Sequence, residues 1–414
     1  EMFLASDVPA MLQHTKRVIA LENGEMAVLS AERAVVKNLN TGAVIMKRPM
    51  EVKWTAEMAE KAGYPYFTLK EIFQQPDAIR DTLRAGTGEL KKLARALLGA
   101  KRVYLVACGT SSHAALVAKY AFAKLADFPV EVAISSEFRE ICRMDGKTVV
   151  LAITQSGETA DTLKAVEAAK AAGAKVACLT NVVGSSITRM SDLVCYTYAG
   201  PEVSVVATKT FAAQVAYLLL LAIHLAEAKG MSKSRCDQLA AILKAMPDAV
   251  RKALAGVEPQ IKKLAKRHLD ARHIYLIGRG IGYPVVLEGA LKLKEITYIH
   301  SEGMPAGELK HGTLALVEKG TPVVAVVTPG ESRAKMVANI EEVKARRANV
   351  IAVAEKINGV KEHVDELISM PHIDELFSPL LYVIPLQLLA YYIAVGRGQD
   401  PDFPRSLAKS VTVE

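Results

Sequence analysis

The chain has 414 residues, of which 51% are apolar and 23% are charged. This length is about two to three times that of a typical domain. Length and composition therefore exclude a single small fold and a disordered chain. The 52 basic and 44 acidic side chains give a formal net charge of +8, with the two signs interleaved. That pattern gives little support to a nucleic-acid partner and suits anionic small molecules equally well.

Cysteine usage and apolar stretches indicate the cellular environment. The cysteines are Cys108, Cys142, Cys178, Cys195 and Cys236. They are far apart and form no CxxC pair, so they indicate neither a disulfide framework nor a zinc site, and a reducing cytoplasm fits best. The longest apolar stretches, Val215–Ile223 and the segment around Leu380–Val395, are shorter than the ~20 residues of a membrane span. The chain opens on Glu1 rather than methionine, which is compatible with a fragment of a longer natural product.

Residues 1–62 predict antiparallel hairpins. Short alternating segments are separated by Glu22-Asn-Gly24 and Asn40-Thr-Gly42, which are turn signals. The segments are Arg17–Leu21, Glu25–Leu29 and Ala43–Met46. Three such strands are too few for an independent domain of ordinary size, so we interpret this region as the last piece of a larger sheet. Residues 63–97 predict a helical linker.

An internal repeat follows, at an offset of 171 to 173 residues. Val103–Gly109 matches Ile274–Gly280, and Thr148–Glu158 matches Thr321–Glu331. Both Thr148–Glu158 and Thr321–Glu331 are followed by a helical pattern and then by another apolar run. Self-similarity of this kind indicates two copies of one domain. We place the copies at 98–228 and 268–396, with a helical connection at 229–267 and a tail at 397–414.

Each copy predicts an α/β fold with a doubly wound parallel sheet. Short uninterrupted apolar runs, typical of strands buried on both faces, alternate with helical patterns. Right-handed crossovers would place the helices over both faces of the sheet. Such sheets bind ligands beyond the carboxyl ends of their strands, so candidate chemistry is sought at the strand-to-helix junctions.

The first copy carries a candidate phosphate site, Thr154-Gln155-Ser156-Gly157-Glu158-Thr159, after a buried strand. Hydroxyl groups and free backbone N–H groups at a helix start suit a phosphate. A turn that merely caps a helix would have the same composition. The junction Cys108-Gly109-Thr110-Ser111-Ser112 adds further hydroxyls, and two such loops in one copy favour a ligand.

The second copy has diverged, because proline in Thr328-Pro329-Gly330-Glu331 removes an N–H group that an anion could use. It carries Glu288, Lys292 and Glu295 at positions i, i+4 and i+7 of one predicted helix, which share a face. A solvated ion-pair face would give the same pattern. His311 lies between glycines in a predicted loop, where a free imidazole is plausible, although a lone loop histidine is usually incidental.

The tail contains one lysine, Lys409, among small and apolar residues. A tail lysine is normally a solvated charge. Folded over a pocket and desolvated, it would act as an imine-forming amine.

These loops resemble those of sugar isomerase (SIS) domains. Residues 288–296, 307–312 and 407–414 further resemble the glucosamine-6-phosphate synthases, the family of isomerizing glutamine:fructose-6-phosphate aminotransferases. The similarity covers nearly the whole chain and includes Ala5-Ser-Asp7-Val-Pro, which resembles a closing strand of that family's glutaminase domain. It implies two tandem SIS-type domains preceded by a β-rich remnant.

The resemblance also implies a function in amino sugar and UDP-N-acetylglucosamine biosynthesis: fructose 6-phosphate and ammonia become glucosamine 6-phosphate in a cytoplasmic homodimer without cofactor or metal. Glu295 would move a proton between C1 and C2, Lys409 would form an imine at C2, and His311 of a neighbouring subunit would open the sugar ring. Glu288 and Lys292 would tune and relay protons. The implied substrate-binding residues are Cys108, Gly109, Thr110, Thr154, Gln155, Ser156, Thr159, Val205 and Ala408.

The sequence departs from the family in one large respect, because the family's glutaminase begins with a cysteine nucleophile and no cysteine precedes Cys108. Glutamine hydrolysis is therefore not assigned to this chain, and we expect a truncated or processed product or a variant that uses external ammonia. Smaller departures are Thr154, where serine is common, and Met304-Pro305 and Thr313.

Other functions remain open from the residues. An SIS deglycase or a ketose/aldose phosphate isomerase would need no hairpin remnant at the start of the chain. A sugar-phosphate-binding regulator would have no use for Glu295 or Lys409.

Overall fold

The computed structural model describes residues 1–5, 11–22, 24–52, 54–55, 57–85, 87–356 and 359–413. Most of the segment Ala5-Ser-Asp7-Val-Pro, which resembles a glutaminase strand, lies outside the described residues, as does Glu414 at the end of the tail.

The N-terminal region forms antiparallel strands in its described part. These are β1 (Arg17–Val18), β2 (Glu25–Leu29), β3 (Ala34–Asn38), β4 (Val44–Ile45) and β5 (Met50–Glu51). Strands β2, β3 and β4 form a meander, and β1 pairs with β5. The predicted turn at Asn40-Thr-Gly42 joins β3 to β4, and the Asn38 side chain accepts the N–H groups of Asn40 and Thr41. The sequence patterns did not predict β3.

Helices fill the stretch before the first parallel sheet. They are α1 (Phe67–Phe73), α2 (Gln75–Ala85) and α3 (Thr87–Leu98). The start of α1 is capped from the far end of the chain, because the Asp402 carboxylate accepts the N–H groups of Phe67 at 2.8 Å and Thr68 at 2.7 Å. This contact fixes the beginning of the tail against the linker.

Within the described residues, the first copy contains a five-stranded parallel sheet of order β10-β9-β8-β6-β7. Its strands are β6 (Arg102–Ala107), β7 (Glu131–Ile134), β8 (Thr148–Ile153), β9 (Lys175–Thr180) and β10 (Leu193–Tyr196). Its helices are α4 (Gly109–Ala126), α5 (Phe138–Ile141), α6 (Ala160–Ala171), α7 (Ser186–Met190) and α8 (Lys209–Ala228). The long helix α9 (Lys233–Ala265) leads to the second copy.

The second sheet, as far as the structure describes it, has five parallel strands in the equivalent order β12-β11-β13-β14-β15. They are β11 (His273–Gly278), β12 (His300–Pro305), β13 (Pro322–Val327), β14 (Asn349–Glu355) and β15 (Glu366–Met370). The helices are α10 (Gly282–Thr297), α11 (Arg333–Lys344) and α12 (Ser378–Gly396). Val106 pairs with Ala152 as Ile277 pairs with Ala325, so the register repeats at the offset seen in the sequence. The predicted α/β repeat is confirmed.

The apolar stretches of the sequence belong to α8 and α12. Their helical segments, Lys209–Ala228 and Glu375–Gly396, are long enough to cross a membrane by length and composition, which corrects the expectation that both were too short. They are 78% and 94% buried inside the protein. Helix α8 packs against α4, and α12 packs against α10 and α9, so both act as core helices.

Candidate active site

The turn of residues 154–159 lies between β8 and α6, as predicted. The N–H group of Gly157 donates to Thr154 Oγ1 at 3.2 Å, and that of Glu158 donates to Ser156 Oγ at 3.1 Å. The two hydroxyl groups thus stabilise the conformation of the turn. They have this structural role in addition to any role in ligand binding. Thr159 occupies the N-cap position of α6.

Gly157 adopts a left-handed conformation with φ +71°, and a methyl group here would lie 2.6 Å from Ser185 Cβ. Gly173 has a similar φ of +76°, but its nearest neighbour would be 4.0 Å away. We therefore expect Gly157→Ala to lower the free energy of unfolding by about 1–3 kcal/mol more than Gly173→Ala, because steric overlap adds to the shared backbone strain. Urea denaturation of both variants measures this difference. Equal losses would contradict the close packing of this turn.

The second predicted loop follows β6 and begins α4. Gly109 has φ +50°, and Cys108 Sγ lies 3.8 Å from Thr162 Oγ1 on α6, which links this loop to the first. The hydroxyl of Thr110 donates to Glu288 Oε1 at 3.1 Å and accepts from Lys292 Nζ at 3.0 Å. Thr110 therefore joins the first copy to the charged face of α10.

Three charged residues of α10, Glu288, Lys292 and Glu295, form a largely buried cluster. Lys292 Nζ lies 3.3 Å from Glu288 Oε1 and 2.7 Å from Glu295 Oε2. The exposed fractions of the side chains are 0% for Glu288, 1% for Lys292 and 21% for Glu295. The interpretation of this face as a solvated ion-pair surface is wrong, because α4 of the first copy packs over α10.

Electrostatic attraction between the lysine and the glutamates determines the protonation states in this cluster. Burial alone would raise the pKa of Glu288, but the charge of Lys292 and the contacts of His113 and Thr110 hold it below its usual value. Burial alone would lower the pKa of Lys292, but Glu288 and Glu295 raise it. The ammonium and the Glu288 carboxylate therefore remain charged at neutral pH.

His113 is a member of this cluster that the sequence analysis missed. Its Nδ1 atom lies 2.8 Å from Glu288 Oε2. His113 follows Thr110 by three residues on α4, so both side chains share one face of that helix. That spacing was the available signal, but nothing in the sequence indicated that this face meets α10.

The tail folds back onto the first copy. Lys409 Nζ lies 2.7 Å from Oε2 of Glu202, which is completely buried in the segment between β10 and α8. Ser410 Oγ donates to Ser156 Oγ at 3.1 Å, and the Val411 carbonyl accepts the N–H group of Ala160 at 2.9 Å. The tail therefore rests on the predicted phosphate turn and on the N-terminus of α6. Glu202 was also missed, although it follows the carboxyl end of a strand.

A cleft of about 610 Å³ brings the turn and the tail together. Its lining includes Gln155, Ser156, Ala408, Lys409 and Ser410. Residues of the N-terminal strands, among them Val18 and Met50, form another wall. The cleft is thus bounded by parts of the chain that are far apart in sequence.

Two other predicted residues lie elsewhere. The N–H group of Val205 donates to the Asp402 carbonyl at 2.9 Å, so this backbone group is already engaged. His311 is exposed at the end of a short 3-10 helix, Ala306–His311, rather than in an irregular loop.

The predicted residues therefore form two sets around one edge of the first sheet. Lys409 lines a cleft together with the turn after β8, whereas Glu288 and Lys292 contact the loop after β6 through Thr110. Strands β6 and β8 are direct neighbours in the sheet, so the two loops lie side by side. This edge can hold an anion and present an amine to it. Among the described residues, the lining of the cleft includes none from the α10 cluster.

A repeated parallel α/β fold with such an edge defines a protein of the SIS class, and the SIS domain model matches residues 96–224 and 269–397. The isomerizing glutamine–fructose-6-phosphate aminotransferase of Thermococcus kodakarensis is 52% identical over 417 residues, which cover 100% of this chain and 69% of that protein. The enzyme of the same name from Pyrococcus horikoshii is 45% identical, with the same coverage. The chain belongs to the isomerizing glutamine–fructose-6-phosphate aminotransferase family.

A solved structure gives the same result. The C-terminal domain of glucosamine-fructose-6-phosphate aminotransferase from Francisella tularensis is 37% identical to this chain, with a TM-score of 0.78. The match covers 83% of this chain and 100% of that one.

Proposed function

We propose that this chain converts fructose 6-phosphate and ammonia into glucosamine 6-phosphate, as the sugar-phosphate part of an isomerizing aminotransferase. The observation that carries the proposal is the meeting of Lys409 with the hydroxyl-lined turn of residues 154–159 in one cleft. An amine next to an anion site suits a phosphorylated ketose whose carbonyl carbon can form an imine.

The sugar phosphate would bind at the carboxyl edge of the first sheet. The residues assigned to it are Cys108, Gly109, Thr110, Thr154, Gln155, Ser156 and Thr159, with backbone contacts from Val205 and Ala408. Hydroxyl groups and the N-terminus of α6 would hold the phosphate and the sugar hydroxyls. The tail is part of this binding edge, because the Val411 carbonyl accepts the N–H group of Ala160 at the start of α6.

The proposed reaction gives a role to each charged group. An imine of Lys409 with C2 makes the C1 proton removable, because the positive nitrogen accepts the developing electron pair. Glu295 would move that proton between C1 and C2. The buried pair Glu288 and Lys292 would fix Glu295 electrostatically and relay protons, since Lys292 lies 2.7 Å from the Glu295 carboxylate.

Assembly would complete the site. His311 is exposed, which suits a role in opening the sugar ring of a neighbouring subunit in a homodimer. Ammonia would come from solution or from glutamine hydrolysed by a glutaminase domain. We place this metabolic reaction in the cytoplasm.

A deglycase, a simple sugar-phosphate isomerase and a non-catalytic regulator are less well supported. Relatives at 52% and 45% identity, of which the match covers 69%, carry the aminotransferase name. A regulator would not need a buried acid–amine cluster, which is expensive to desolvate.

Chemical trapping tests the proposal. Borohydride added with fructose 6-phosphate is expected to leave a stable mass adduct on the peptide that contains Lys409, because it reduces the imine. Lys409→Arg is expected to give no adduct, since a guanidinium cannot form this imine at ordinary pH. The exposed Lys335→Arg provides a matched control and should keep the adduct. An adduct that persists in Lys409→Arg would remove this lysine from the mechanism.

A further inference from the structure

Tyr298, the residue directly after α10, holds the tail by two contacts. The N–H group of Arg405 donates to the Tyr298 hydroxyl at 2.9 Å. The guanidinium carbon of Arg405 lies 4.2 Å from the centre of the Tyr298 ring, which is the geometry of a cation–π interaction. The tyrosine therefore binds both the backbone and the side chain of one tail residue. The sequence patterns gave neither residue a role.

This tyrosine ends the helix that carries the charged cluster. Tyr298 is the C-terminal cap of α10 and adopts a left-handed conformation, with φ +60° and ψ +17°. A bulky side chain rarely adopts this conformation, so the contacts around it must hold it there. Glu295 lies three residues earlier on the same helix. The contact with Arg405 thus ties the tail to the helix of the proposed proton carrier.

Tyr298 supports the middle of the tail. Before this part, the buried Asp402 carboxylate caps the start of α1. After it, Ser410 and Val411 contact the phosphate turn and the start of α6. Within the described part of the chain, the hydrogen bond to Tyr298 is the one that residues 403–408 make with a residue outside the tail. The tyrosine is therefore the support that stands nearest before Lys409.

The position of Arg405 limits what Lys409 can reach. Arg405 precedes Lys409 by four residues, and Ser406 between them has φ +60°, so the chain turns directly after the contact with Tyr298. Four residues span at most about 14 Å. Reacting atoms must come within about 3–3.5 Å of each other, and a misplacement of about 1 Å costs up to about 10²-fold in rate. A shift at Arg405 would therefore be felt at the amine.

We propose that Tyr298 is a positioning residue for imine formation: through Arg405, it sets the distance between the Lys409 amine and C2 of the bound sugar phosphate. This inference rests on the proposed function, because it requires the imine at Lys409. Tyr298 acts through the tail and not on the substrate, and Glu295 remains the group that moves the carbon-bound proton.

A purely structural role would have a different signature. Tyr298 is partly buried and Arg405 is exposed, so their contact lies at the surface. A cation–π contact at an exposed site changes a folding equilibrium by only about 2- to 5-fold. The effect on imine formation should be larger than this, because the rate depends on the position of the amine and not only on the stability of the fold.

The test is the initial rate of borohydride trapping with fructose 6-phosphate. Tyr298→Ala removes both contacts and should lower this rate about 10- to 10²-fold. Tyr298→Phe keeps the ring beside Arg405 and removes only the hydroxyl, so it should recover to within about 2- to 10-fold of the wild type. Glucitol 6-phosphate carries the phosphate but no carbonyl group. Its equilibrium binding should be unchanged in both variants, because the turn of residues 154–159 is intact.

Tyr392→Ala is the matched control. Tyr392 on α12 has the same two kinds of contact, because Lys262 Nζ lies 5.7 Å from the centre of its ring and its hydroxyl donates to Glu258. Neither partner belongs to the tail. Tyr392→Ala should therefore trap at the wild-type rate, even where urea denaturation shows a loss of stability equal to that of Tyr298→Ala.

Arg405→Ala decides the question if Tyr298→Ala fails to fold, because Arg405 is exposed. This variant removes the cation from the ring and keeps the N–H group, so its trapping rate should fall about 2- to 5-fold. Added to Tyr298→Ala, it should cause no further loss, since both residues act through one contact.

Three results would overturn the inference. They are a wild-type trapping rate in Tyr298→Ala or, where that variant does not fold, in Arg405→Ala; losses that add fully in the double variant; and a matching loss of glucitol 6-phosphate binding. Absence of any adduct in the wild type would instead refute the proposed function.

Discussion

Replacing Glu295 by glutamine is expected to slow exchange of the substrate C1 proton with solvent deuterium by about 10²- to 10⁴-fold, the range that a general base contributes. Binding of fructose 6-phosphate should persist, because the residues assigned to the phosphate lie on the first copy. Glutamine keeps the size of the side chain and removes its basicity. NMR of the substrate in deuterium oxide measures the exchange, and equilibrium titration measures the binding.

Glu302→Gln is the control for this experiment, because Glu302 is an exposed glutamate on β12 of the same copy. Its exchange rate should match that of the wild type. Unchanged exchange in Glu295→Gln would reject Glu295 as the proton carrier while leaving the imine at Lys409 intact.

Glu288→Ala is expected to produce the largest loss of stability, about 3–5 kcal/mol in the free energy of unfolding at pH 7. The substitution leaves Lys292 buried with one carboxylate in place of two, and removes the partner of His113. Urea denaturation followed by circular dichroism measures the loss. The exposed pair Lys92 and Glu89, at 3.2 Å, supplies the control, since Glu89→Ala should cost about 0–1 kcal/mol.

The stability difference between wild type and Glu288→Ala should depend on pH. The folded-state pKa of Glu288 is depressed, so its stabilisation is present above its unfolded pKa and is lost as the pH falls through the folded pKa. The folded-state pKa of Lys292 is raised, so its stabilisation is present below its unfolded pKa and is lost as the pH rises through the folded pKa. The difference should be greatest between the two unfolded values, from roughly pH 5 to 10. A difference no larger than that of Glu89→Ala would show that α10 is not a buried network.

The α/β repeat was predictable because its signals are local. Buried parallel strands are uninterrupted apolar runs, and the same run recurs at a fixed offset, so Val103–Gly109 and Ile274–Gly280 could be aligned by inspection. The turn of residues 154–159 was predictable for the same reason, since chain order alone places it after a strand. Strand β3 was missed because apolar and polar residues alternate only weakly along it.

Which functional side chains become neighbours was decided by contacts between distant parts of the chain. The charged face of α10 has the same spacing in solvent or in a core, and its burial depends on α4, about 180 residues earlier in the chain. The partner of Lys409 is Glu202, 207 residues away. The spacing of His113 from Thr110 was visible locally, but its partner Glu288 lies 175 residues away in the chain. The residue types and their order along the chain thus determined the two domains and the candidate chemistry, whereas desolvation and charge pairing, which require the completed packing, decided which groups act together.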